Sequence, residues 1–274
     1  MRLLVQLLLA VVGLIAGLSL LLFFAQRRLL YFPSHQDREA ATREAEGREL
    51  QPWLGSDGSF LGWRAPHPSG QPTGKLLVLH GNAGSALERG YLRDAFQAPG
   101  LPLALDIYLL EYPGYGPRSG TLSEDDLVSA GTEAIDLLSA ASPGPLFLAG
   151  ESLGSAVGVL AAARRPRAVA GLILITPLTS VPAVARRHFP MVPAFLIRDT
   201  LRTDRALPRY SGPVAFLIAG RDSVVFPDLG EALFAAYRGP KQKWVEARAD
   251  HNTLDYDPRR RIWGELLAFL AAAH

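Results

Sequence analysis

The strongest constraint on this chain is a repeated alternation. Uninterrupted apolar runs at Leu76–His80, Ile107–Tyr112, Leu146–Gly150, Gly171–Thr176 and Val214–Ala219, with a less clean one at Lys243–Ala247, are separated by longer stretches of helical periodicity. A strand with one wet face alternates apolar and polar residues, whereas a run without polar residues suits a strand covered on both sides. The intervening helices supply that cover, so the pattern predicts an α/β fold with a mostly parallel central sheet and helices on both faces. Leu50–Leu54 and Phe60–Ala65, parted by the turn residues Gly55, Ser56, Asp57 and Gly58, read as an opening hairpin. Ser123 to Ala141 is the clearest helix, with Ser123 as N-cap, acids at 124–126 and Leu127, Ile135 and Leu138 on one face. The last helix is expected to start at Asp257 and Pro258, with Ile262, Leu266, Phe269 and Leu270 as its buried stripe.

Composition removes several alternatives. The 274 residues are 49% hydrophobic and 20% charged, with net charge +2 and no cysteine. Disulfide frameworks, thiol nucleophiles and cysteine-type zinc sites are therefore excluded. The basic charges are almost all Arg, with Lys only at Lys75, Lys241 and Lys243, and they form no stripe with interleaved aromatics. That argues against a nucleic-acid partner.

The amino end departs from this pattern. From Leu3 to Phe24 only Gln6 and Ser19 are polar, and no charge appears before Arg27. Such a stretch is long enough for a hydrocarbon core of roughly 30 Å and lacks a cleavage site of the A-x-A kind, so it reads as an uncleaved transmembrane anchor with the bilayer as a partner. Arg27, Arg28, Arg38 and Arg43 on the carboxyl side place the body in the cytoplasm by positive-inside counting. The expected organisation is an anchor at 1–26, a linker at 27–49 and a catalytic domain at 50–274. Within that domain, residues 177–206, broken by Pro177, Pro182, Pro190 and Pro193, form a small cap insertion.

Gly150-Glu151-Ser152-Leu153-Gly154 lies between the apolar run LFLAG and a helical stretch. A serine on a sharp strand-to-helix turn is lifted above the sheet edge, and glycines two residues away on either side avoid collisions with neighbouring backbone. Ser152 is thus the candidate nucleophile, and it needs a base and an acid to orient that base. His251, in the loop between the last strand and final helix, is the candidate base. Asp222, directly after VAFLIAG, is the candidate acid in preference to Asp250, whose side chain points away from its neighbour's, and to Glu111, which comes too early in chain order. Backbone N–H groups of Leu153 and Asn82 are the candidate oxyanion donors, with Ala83 as second choice to Asn82. His80 reads as a ring packed under a loop.

With these residues in view, the chain resembles the α/β-hydrolase superfamily, and within it the membrane-anchored hydrolase-domain proteins. The likeness spans roughly residues 27–272 and rests on LLYFPS, HGNAG at 80–84, EYPGYGPRSG at 111–120, GESLGS at 150–155, GRDSVV at 220–225 and DHNTL at 250–254. Glu111 and Pro113 depart from the Asp and Arg that relatives often carry there. The resemblance implies a Ser-His-Asp serine hydrolase acting on esters or thioesters, sometimes amides, and the reading is of an acyl-enzyme mechanism; no metal cluster, phosphate loop or dinucleotide motif in the sequence argues for a cofactor. Phe189, Met191, Val192, Phe195, Leu196 and Ile197 in the insertion point to an apolar pocket and a lipid or acyl-chain substrate. The alternatives are a serine peptidase or amidase of the same fold and a non-catalytic membrane-bound binding protein.

Overall fold

The computed structural model describes residues 2–141 and 144–273. Its centre is an eight-stranded sheet of β1 (Gln51–Leu54), β2 (Phe60–Ala65), β3 (Gly74–Leu79), β4 (Leu105–Leu110), β5 (Leu146–Glu151), β6 (Gly171–Ile175), β7 (Val214–Ala219) and β8 (Lys241–Glu246). The spatial order is β8-β7-β6-β5-β3-β4-β2-β1. The strands from β8 through β4 run parallel, while β2 is antiparallel to both β1 and β4. Nine helices lie among the described residues: α1 (Arg2–Leu30), α2 (Arg38–Gly47), α3 (Gly90–Phe96), α4 (Glu124–Ala141), α5 (Leu153–Arg164), α6 (Val181–His188), α7 (Thr203–Ala206), α8 (Pro227–Ala236) and α9 (Arg261–Ala272).

Period-two alternation divides each central strand between two cores. Leu77, Leu79 and Leu148 join Leu127 and Ile135 of α4 and Val157 of α5 on one face. Leu76, Val78 and Phe147 join Phe96 of α3 and Trp263 and Leu266 of α9 on the other. Both faces are therefore dry, which is why these strands read as continuous apolar runs. β8, at the sheet edge, has only exposed and half-buried positions.

Two segments differ from the sequence reading. Residues 27–49 contain α2, capped by Asp37, whose side chain accepts from the Ala40 N–H, and buried through Ala41 and Ala45. The final helix begins at Arg261, because Asp257 instead closes a turn by accepting the Arg259 N–H at 2.9 Å.

The transmembrane anchor is corrected. Among the described residues no helix is long and apolar enough to cross a membrane. That overturns Leu3–Phe24 as a single-pass anchor, and the placement of the domain on one side of a bilayer falls with it, as does the case for the bilayer as partner. The apolar run belongs to a longer helix whose carboxyl end is committed to the protein body. Gln26 donates to the Leu196 carbonyl and accepts from the Arg198 N–H, and Arg27 makes a two-pronged ion pair with Asp199. Those turns are bonded to the insertion, although Phe24 and Leu29 on them stay exposed.

Candidate active site

The site forms at the carboxyl ends of the parallel strands, where open α/β sheets place their ligands. β5 ends at Glu151 and α5 starts at Leu153, so Ser152 alone makes the reversal, at φ 52° and ψ −117°. A non-glycine residue in this region stores about 1–3 kcal/mol of strain and persists only when its surroundings fix it. Here the Ser152 N–H donates to Ile175 O at 2.9 Å, while the Ser155 N–H and hydroxyl both donate to Ser152 O. The flanking glycines leave no choice of residue. A Cβ on Gly150 would lie 2.4 Å from Gly154 O, and one on Gly154 would lie 2.0 Å from Leu79 O.

Asp222 follows β7 and is buried. Its Oδ1 accepts the N–H groups of Val224 and Val225 at 2.8 and 2.7 Å, which aims Oδ2 at His251 Nδ1, 2.7 Å away. A carboxylate only accepts, so Nδ1 carries the proton, and in the neutral ring Nε2 is then the nitrogen with the free lone pair. Asp250, the rejected rival, has a different task. It accepts the N–H groups of Ser223 and His251 at 2.9 and 2.6 Å, joining the Asp222 loop to the His251 loop. Those backbone donors, Ser223 first, hold its carboxyl below the usual range.

The structure brings Asp222 and His251 into contact and sets Ser152, Leu153 and Asn82 together on one cavity wall. Among the described residues, no hydrogen bond joins Ser152 Oγ to His251 Nε2. Such bonds are often long without substrate and tighten when it binds. The backbone N–H groups of Leu153 and Asn82 have no acceptor among the described residues. The Asn82 side chain is used elsewhere, donating to Leu30 O at 3.0 Å. His80 packs between Tyr112 and Tyr115, with ring centroids 4.2 and 4.9 Å away, and its Nδ1 is 2.8 Å from Gly81 O.

Sequence reasoning missed Glu151. Its two carboxylate oxygens accept the hydroxyls of Tyr91 and Tyr256 at 2.8 and 2.7 Å, and Arg89 Nε lies 3.5 Å away. Arg89 also donates to Ala83 O, so one carboxylate links the Asn82 loop, the Ser152 turn and the segment after His251. Burial, then the Glu151 charge, pushes both tyrosine hydroxyls well above their ordinary pKa. The only sequence signal was an acid beside the serine; its partners are 60 and 105 residues distant.

Above Ser152 lies a cavity of about 310 Å³ with largely apolar walls. Of the six insertion residues expected there, Phe189, Val192, Leu196 and Ile197 line it, whereas Met191 and Phe195 face solvent. The carboxyl end of α1 supplies an unexpected wall through Phe23, Leu29 and Leu30.

A model of the alpha/beta hydrolase family matches residues 76–272. The uncharacterized protein Rv2307c of Mycobacterium tuberculosis is 35% identical over 250 residues, covering 89% of this chain and 86% of that protein. Alpha/beta hydrolase domain-containing protein 17C of Xenopus laevis is 28% identical over 230 residues, covering 82% and 71%. Among solved structures, Est1E from Butyrivibrio proteoclasticus with ferulic acid bound superposes with a TM-score of 0.66 at 16% identity, covering 81% of this chain and 99% of that one. The Pyrococcus furiosus esterase Pf2001 gives 0.60 at 13% identity, covering 89% and 98%. These structures share the fold, and the family model together with the mycobacterial relative shows that the chain belongs to the alpha/beta hydrolase family.

Proposed function

We propose that this chain is a serine hydrolase that cleaves carboxylic esters or thioesters of apolar acyl groups through an acyl-enzyme. The observation that carries the reading is Ser152 itself, held at positive φ on the floor of an apolar cavity beside two backbone N–H groups that have no acceptor among the described residues. A fold spends strain on a serine where an exposed, directed hydroxyl is needed.

In this mechanism His251 Nε2 takes the Ser152 proton as Oγ attacks the acyl carbonyl, and the Leu153 and Asn82 N–H groups receive the oxyanion. Asp222 keeps the imidazole oriented and stabilises it while it is charged. The tetrahedral adduct collapses as the imidazolium returns its proton to the leaving oxygen or sulfur. Water then attacks the acyl-serine, giving its proton to Nε2, and the second adduct releases the acid and regenerates the Ser152 hydroxyl. The esterase neighbours support the reading at the level of fold, and the cavity supports an apolar acyl side.

The test is turnover of p-nitrophenyl esters beside aminoacyl amides. Wild-type chain should hydrolyse the esters, and Ser152→Ala should lose about 10⁴-fold or more in kcat with the fold retained. Activity confined to the amides, or unchanged in Ser152→Ala, would overturn the proposal.

A further inference from the structure

The cavity wall given by α1 is tied down more firmly than packing alone requires. Asp199, on the descending limb of the insertion, is only 4% exposed and accepts from Arg27 Nε at 2.8 Å, Arg27 Nη2 at 3.0 Å and the Tyr31 hydroxyl at 3.2 Å. Gln26 is bonded to the same limb at Leu196 and Arg198. Glu124 of α4 holds the limb from beneath by accepting the N–H groups of Thr200 and Leu201 at 2.6 and 2.9 Å. At its end, α1 meets the oxyanion loop itself through the Asn82–Leu30 bond. Phe23 and Leu30 are seven residues apart, so they mark points about 10 Å apart along the helix axis. The one nearer Asn82 is Leu30.

We propose that the last two turns of α1 are the length-setting wall of an acyl-chain subsite, with Leu30 beside the reacting carbonyl and Phe23 at the distal end. The inference rests on Ser152 being the nucleophile and adds the substrate class, a medium-chain acyl group. Two observations select that occupant. The cavity that holds both Ser152 and Phe23 is mostly apolar, with Leu30 and Leu196 on its walls beside the polar Gln26, Arg27, His188 and Asp199. An apolar cavity of about 150 Å³ holds benzene, so roughly twice that space suits on the order of a dozen carbons. The Arg27–Asp199–Tyr31 cluster fixes the wall, because removing one partner would leave a buried carboxylate short of donors.

The experiment measures kcat/KM for acetate, octanoate and tetradecanoate esters in wild type, Phe23→Ala, Leu30→Trp and Leu20→Ala, each checked for folding by circular dichroism. Wild type should prefer octanoate. Leu30→Trp should lower the octanoate-to-acetate ratio by about tenfold or more, and Phe23→Ala should raise the tetradecanoate-to-octanoate ratio by about as much. Leu20 is exposed and off the cavity, so Leu20→Ala should keep the wild-type ratios. Calorimetry with dodecanoate reads the wall without turnover: one site is expected, weakened about tenfold by Leu30→Trp or, if that variant does not fold, altered by Phe23→Ala. Unchanged ratios and unchanged dodecanoate binding in the folded wall variants would overturn the inference while leaving the nucleophile intact. Dodecanoate binding without any ester turnover would instead refute the hydrolase reading and keep the wall.

Discussion

At the residue scale the site depends on backbone geometry as much as on side-chain chemistry. Gly154 has no room for a methyl group, because its Cβ would sit 2.0 Å from Leu79 O and 2.6 Å from His80 O, both part of rigid backbone. Gly154→Ala must therefore separate α5 from β3. The expected cost is about 3 kcal/mol, read as a melting temperature lower by roughly 6 to 12 °C; an unchanged midpoint would mean that the turn relaxes freely. The serine and its glycines were legible because five adjacent residues carry the whole local geometry. Asp222 and His251 were legible from their places after apolar runs, and the 2.7 Å contact joins the two. The Glu151 cluster was not legible, since its tyrosines become neighbours only after three separate loops have folded.

At the element scale, the central strands announced themselves because both of their faces are dry. α2 did not, since REAATREAEG buries only Ala41 and Ala45, and small residues leave no apolar stripe against a charged background. α1 misled for a related reason: hydropathy records what a segment is made of but not that its last turns are bonded to an insertion 170 residues away. α4 shows a cap that could be read from sequence. The Ser123 hydroxyl accepts the Asp126 N–H at 3.1 Å and donates to the Asp126 carboxylate, closing the first turn. Ser123→Ala should cost about 1 kcal/mol, lowering the melting temperature by roughly 2 to 4 °C. Ser123 does not line the cavity, so kcat should be unaffected in the same preparation, and a large loss of turnover would mean that the first turn of α4 holds the cavity wall through Glu124.

Across the whole molecule, all eight tyrosines have hydroxyl pKa values above the ordinary one, with burial the leading cause for each. Tyr237 is raised to about 12. The unfolded chain loses these protons near pH 10, while the folded chain retains them. The native state thus binds more protons above that pH, and the stability these groups contribute is intact below about pH 10 and lost as pH rises beyond it. Phenolate absorbance at 295 nm should stay low past the ordinary tyrosine range and then rise together with loss of circular dichroism; a gradual titration of most tyrosines near pH 10 with the fold intact would contradict their burial. The same packed body holds together three loops from distant parts of the chain around one hydroxyl, that of Ser152. The most direct measurement is mass spectrometry of peptides after the full chain meets a fluorophosphonate. A single adduct on the peptide carrying Ser152, absent from Ser152→Ala, is the predicted result, whereas an unmodified Ser152 peptide or an adduct on another residue would contradict it.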